Sequence, residues 1–125
     1  MAIRNPYDKY NNTVFSAPQE ELTLMLYNGA LKFCNQSIIA LENNDLEKAG
    51  NMLLKTQRII RELQITLNYK YEISNQLGAM YEYIHTKLVD SNIKKDMNTL
   101  LEVRDLIRNL RDTWKEAIVI ARKEG

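Results

Sequence analysis

Both prolines of the chain, Pro6 and Pro18, lie before residue 20, so more than a hundred residues run on without a strong helix breaker. Over that stretch the apolar residues recur every three or four positions, the period of a helix that packs one face on its neighbours. In the clearest example, Leu46, Ala49, Leu53, Thr56, Ile60, Leu63 and Leu67 lie on a single stripe. Alternation with period two is absent, so the pattern predicts an all-α domain.

Three polar breaks divide the periodic run. Ser16-Ala17-Pro18-Gln19 carries a capping hydroxyl and a first-turn proline, which starts a helix reaching about Leu41. Glu42-Asn43-Asn44-Asp45 interrupts it and offers Asn44 or Asp45 as the next N-cap, with a helix over residues 45–67. After Asn68-Tyr69-Lys70-Tyr71-Glu72 the spacing resumes at Ile73, Leu77, Met80, Tyr81, Ile84 and Leu88, and a third helix ends near Asp90. Residues 91–95 read as a loop and Asp96 as the cap of a last helix, with Leu100, Val103, Ile107, Leu110, Trp114, Ala117 and Ala121 as its buried stripe. Four helices with short connections are expected to form an antiparallel up-down-up-down four-helix bundle over residues 18–125, preceded by a flexible N-terminal segment, residues 1–17.

Composition bounds what such a bundle could do. Seventeen basic residues against sixteen acidic ones give a net charge of +1, too small for a nucleic-acid or anionic-membrane footprint. Arg104, Arg108, Arg111 and Lys115 share a face of the last helix, but Asp105, Asp112 and Glu116 lie beside them, which predicts self-pairing, for example Arg108 with Asp112. Cys34 is the only cysteine, so no intrachain disulfide can form and a reducing cytoplasmic setting is expected. The first residues lack the apolar core of a signal peptide, and no apolar run is long enough for membrane insertion.

Catalytic chemistry finds little support. Glu82 and His85 have the spacing that di-iron bundles use, yet His85 is the only histidine, and a helix-surface pairing with Glu82 is the simpler role. Cys34 follows Phe33 on an apolar face, where a lone cysteine acts as a small hydrophobe. Isolated glycines replace any phosphate-binding loop. No enzyme, cofactor or metal site is expected.

Two features exceed what a bundle needs. Between Leu22 and Cys34 nine of thirteen positions are apolar. They form one stripe of Leu22, Leu26, Ala30 and Phe33 and another of Leu24, Tyr27, Leu31, Cys34, Ile38 and Leu41. Such a helix is either wedged between two others or lines a groove that a partner helix fills. Before the bundle, Ile3, Tyr7, Tyr10 and Val14 recur with helical spacing, so this segment either completes the core or lies on an exposed groove as a lid. Gly29-Ala30 and Gly78-Ala79 sit inside helical patterns, where a glycine costs about 1 kcal/mol relative to alanine and implies close approach by a neighbour.

The motifs resemble those of the bacterial flagellin export chaperones of the FliS family along almost the whole chain. Ser16-Ala17-Pro18 with Leu22 and Met25-Leu26-Tyr27-Asn28-Gly29-Ala30 looks like the family's first-helix signature. Met80-Tyr81-Glu82-Tyr83-Ile84 with Leu88 looks like its third, Asn92 and Asp96 its turn, and Leu110-Arg111-Asp112-Thr113-Trp114-Lys115 its last-helix motif. Asn5-Pro6-Tyr7 and Tyr10 are similar to versions from Gram-positive bacilli. The chain departs from the pattern at Asn28, at His85-Thr86-Lys87 and at Ser91. The resemblance implies a cytoplasmic chaperone that binds the disordered C-terminal segment of flagellin in apolar grooves, prevents its premature polymerisation and docks at a component of the flagellar export gate. It also implies that the N-terminal segment covers part of that surface until flagellin binds. Ile3, Tyr7, Tyr10, Val14, Leu26, Tyr27, Ala30, Met80, Tyr81, Tyr83, Ile84, Leu88 and Asn92 are the expected partner-binding residues. The competing reading is a structural bundle that forms a weak homodimer through helix 1.

Overall fold

The computed structural model describes residues 17–124. Four helices follow in order: α1 Ala17–Glu42, α2 Leu46–Ile65, α3 Ile73–Lys94 and α4 Met97–Glu124. No strand occurs among the described residues. α1 packs on α2 and on α4, α2 on α3, and α3 on α4, so each helix neighbours the ones before and after it and the ring closes between α4 and α1. This is the antiparallel bundle that the short connections require.

The caps explain where the helices begin. Asp45 accepts the backbone N–H of Lys48 at 3.1 Å and starts α2, while Asn44 turns the chain with φ 61°. The side chain of Asp96 accepts the N–H groups of Asn98 and Thr99 and the Thr99 hydroxyl, satisfying first-turn donors of α4. These bonds hold the Asp96 carboxyl below its ordinary pKa. The expected cap at Ser16 lies outside the described residues.

Two expectations require correction. α3 does not end near Asp90; it continues through Ser91, Asn92 and Ile93 to Lys94. Ser91 is buried there, and Lys95 closes the helix in the left-handed conformation, its ammonium donating to the Asn92 carbonyl at 2.6 Å and to Asn92 Oδ1 at 2.7 Å. Packing and this side-chain closure override the polar, loop-like composition. On α4 the buried stripe steps from Trp114 to Ile118 and leaves Ala117 exposed, because the larger side chain lies four residues on and faces the same side.

The core takes Tyr27, Ala30, Leu31, Cys34 and Ile38 from α1, Leu53, Ile60 and Leu63 from α2, Tyr81, Ile84 and Leu88 from α3, and Leu100, Val103 and Ile107 from α4. Ile73, Met80 and Leu46, grouped with these stripes by spacing alone, are exposed. The excess of apolar residues on α1 is accounted for largely by burial: Tyr27, Leu31, Cys34 and Ile38 of the second stripe and Ala30 of the first are core, Leu26 and Leu41 pack partly buried against it, and Leu24 and Phe33 are half-buried. Leu22 and Met25 remain on the surface.

One polar contact crosses this apolar interior. The hydroxyls of Tyr27 on α1 and Tyr81 on α3 hydrogen-bond to each other across the diagonal, with the rings tilted by 55° at a centroid separation of 6.4 Å. Burial raises the pKa of both phenols. Replacing Tyr27 by Phe strands the Tyr81 hydroxyl and should cost about 1–3 kcal/mol, whereas the double replacement of Tyr27 and Tyr81 by Phe should come close to the stability of the parent. Urea unfolding of the two single variants and the double variant measures this coupling; strict additivity would rule it out.

Candidate functional site

The expected partner-binding residues separate by depth. Tyr27, Ala30, Tyr81, Ile84 and Leu88 are each at most 2% exposed and form core rather than surface. Their helical spacing is that of the binding motif because the core stripe and the outer stripe alternate along the same helices. Leu26 is partly buried against the core and Asn92 is partly buried in the Lys95 closure. Met80 and Tyr83 stand outward, 37% and 42% exposed. Ile3, Tyr7, Tyr10 and Val14 lie outside the described residues.

Met80 and Tyr83 line a groove of about 400 Å³ between α3 and α4, with Ala79, Leu106, Gln76 and Glu102. The walls are mostly apolar, and Lys87 lies 5.5 Å from the centre of the Tyr83 ring. Leu106 and Ala79 were not among the expected residues. Their signal was present but faint: Leu106 adjoins the core stripe at Ile107 and Leu110, and Ala79 leaves room beside Met80. An open apolar trough between two antiparallel helices accepts a third helix through anchors spaced by one turn.

A second cavity, about 270 Å³, lies at the end of the bundle where α1 begins. Leu67, Leu77, Tyr81 and Trp114 form its apolar wall, and the Trp114 indole N–H donates to the Glu20 carbonyl at 3.1 Å, tying α4 to α1. The loop between α2 and α3 closes onto this end through Gly78. A Cβ there would meet Tyr69 Oη at 2.8 Å, and one on Gly29 would meet Ile59 Cδ1 at 3.2 Å. Both close neighbours are therefore internal to the bundle.

The chemically reactive residues are otherwise engaged. Cys34 is fully buried, and burial pushes its thiol up to about 12, opposed by Arg104 and reinforced by Asp105. Arg61 on α2 bonds Glu82 at 2.9 Å and reaches His85 Nδ1 at 3.1 Å, so the Glu82 and His85 pair joins α3 to α2. The bonds from Arg61 and Gln64 lower the Glu82 pKa, while burial and then Arg61 lower that of His85. On α4, Arg104 pairs with Asp105 and Arg111 with Asp112. Arg108 also turns to Asp105, at 3.6 Å, rather than to Asp112, which Arg111 occupies. No group of three or more metal-ligating side chains occurs among the described residues.

The sequence model of the flagellar protein FliS family matches residues 3–121. This chain belongs to the FliS family. It is 49% identical over 99% of its length to the flagellar secretion chaperone FliS of Bacillus subtilis (strain 168), covering 94% of that protein. The FliS chaperone of Escherichia coli (strain K12) is 32% identical over 86% of this chain and 82% of its own length. The family is one of flagellar secretion chaperones, so the chain is an export chaperone and not an enzyme. No described helix of this FliS-family chain is long and apolar enough to cross a membrane.

The Arg61 cluster has a definite pH signature. The lowered His85 pKa means that the unfolded chain takes up this proton more readily, so stability is full above the unfolded value near 6.5 and falls as pH drops towards the lower folded value. Lowering of the Glu82 pKa adds a second loss, at pH below the ordinary carboxylate range. His85→Gln should flatten the first limb alone. Urea midpoints measured across mildly acidic pH test this, and an unchanged slope would remove His85 from the linkage.

Proposed function

We propose that this chaperone binds the disordered C-terminal segment of flagellin as helix in the α3–α4 groove, keeps it from polymerising in the cytoplasm and presents it to a component of the export gate. The observation that carries the reading is the trough formed by Met80, Tyr83, Ala79 and Leu106, an apolar strip with helical spacing between helices whose core needs are already met. Its polar content is small, so capture is driven by apolar burial and the segment gains helix as it binds.

Met80→Glu should leave the bundle intact, since the side chain is outside the core, and weaken capture of a flagellin C-terminal fragment by roughly tenfold or more. Titration calorimetry with circular dichroism of the mixture reads both affinity and induced helix. A mixture spectrum equal to the sum of its parts would reject folding on binding.

The N-terminal segment, with Ile3, Tyr7, Tyr10 and Val14, acts in this reading as a lid that competes for the same apolar surface. The four stripes that build the core lie beyond it. Removal of residues 1–15 should therefore preserve cooperative unfolding and tighten binding of the fragment. Loss of the cooperative transition would make the segment part of the core instead.

A further inference from the structure

From Leu22 to Leu41, α1 has no acidic residue and Lys32 is its only charge; from Lys48 to Arg61, α2 has four cations and no acid. In the fold these two helices pack side by side, while Arg61 turns away to Glu82 on α3. Lys32 and Lys55 converge on the same aromatic ring, 5.8 and 5.3 Å from the centre of Phe33, and Arg58 follows one turn after Lys55. None of these three makes an ion pair among the described residues, and Glu62, one turn beyond Arg58, does not pair with it. The contrast with α4 is direct, since Arg104, Arg108 and Arg111 all have aspartate partners there.

Beside Arg58, across the outer side of α2 and reaching His85 on α3, runs a shallow groove of about 490 Å³, whose apolar members are Leu54, 45% exposed, and the partly buried Ile59, with Glu62 and the Glu82-paired Arg61 at its α3 side. We infer that this α1–α2 face docks an acidic amphipathic helix of a second protein, with carboxylates one turn apart meeting Lys55 and Arg58, a further acid meeting Lys32, and an apolar edge on Leu54. Charge complementarity selects this occupant. Residues 1–16 carry two cations and one acid and are not the complement. Because α1–α2 and α3–α4 are opposite sides of the ring, both faces can be filled at once, a second step that rests on the capture proposed for the α3–α4 groove.

A synthetic amphipathic helix of about 18 residues, with glutamates one turn apart flanking a leucine edge, is the probe. Binding to the full chain should perturb backbone amide resonances around Lys32, Lys55 and Arg58, and should weaken markedly between about 0.05 and 0.3 M salt. The double variant Lys55→Glu, Arg58→Glu should bind at least about tenfold more weakly, with Lys115→Glu on α4 as an unaffected control. The flagellin fragment should leave probe affinity unchanged. Absence of binding, equal binding of a lysine-for-glutamate probe, perturbations at Met80 and Tyr83 instead, or preferential binding to phosphatidylserine vesicles would overturn the docking face. Displacement of the probe by the flagellin fragment would overturn simultaneous occupancy. Failure of the fragment to bind at all would reject only the α3–α4 reading.

Discussion

Two phenolic hydroxyls meet inside the core and hydrogen-bond across the bundle diagonal, whereas the buried Ser37 and Thr56 hydroxyls bond only within their own helices. Leucines and isoleucines tolerate sliding of one helix past another, because their contacts are numerous and non-directional. A buried hydroxyl pair does not, since a shift of one turn leaves both groups without a partner. Tyr27 and Tyr81 therefore set the register of α1 against α3. Register in turn decides which residues of α3 face inward, and so why Tyr81 and Ile84 are core while Met80 and Tyr83 rim the groove.

The fold was legible because helical period and capping chemistry act locally. Asp45 and Asp96 are capping residues by composition and by geometry alike, and the stripe from Ala49 to Leu63 is the buried face of α2. The extension of α3 through Ser91 to Lys94 was not legible, since it depends on burial of a serine and on a lysine side chain folding back to Asn92. The candidate site was legible only in part. A periodic pattern identifies apolar positions but not which of two adjacent stripes a neighbouring helix covers. Tyr27 and Ala30 thus stand in the core, whereas Leu106, which no motif singled out, lies in the groove wall.

Charge is organised at the scale of faces rather than of the whole chain. A net charge of +1 describes α4, where basic and acidic neighbours neutralise one another in pairs, but hides the cationic run shared by α1 and α2. The Arg61 bridge to Glu82 marks the border of that run, holding α3 to α2 at a partly exposed seam. Exposed pairs of this sort contribute little to stability individually.

The single thiol gives the molecule a built-in clock. Cys34 of α1 sits sealed in the core with its pKa pushed up to about 12, so an alkylating reagent can reach it only when the packing between helices opens. Its modification rate at fixed reagent concentration therefore follows the population of open bundle, without any label being introduced. Comparing that rate in the empty and the cargo-loaded chaperone distinguishes a carrier that stays closed beneath its load from one whose helices part to receive it.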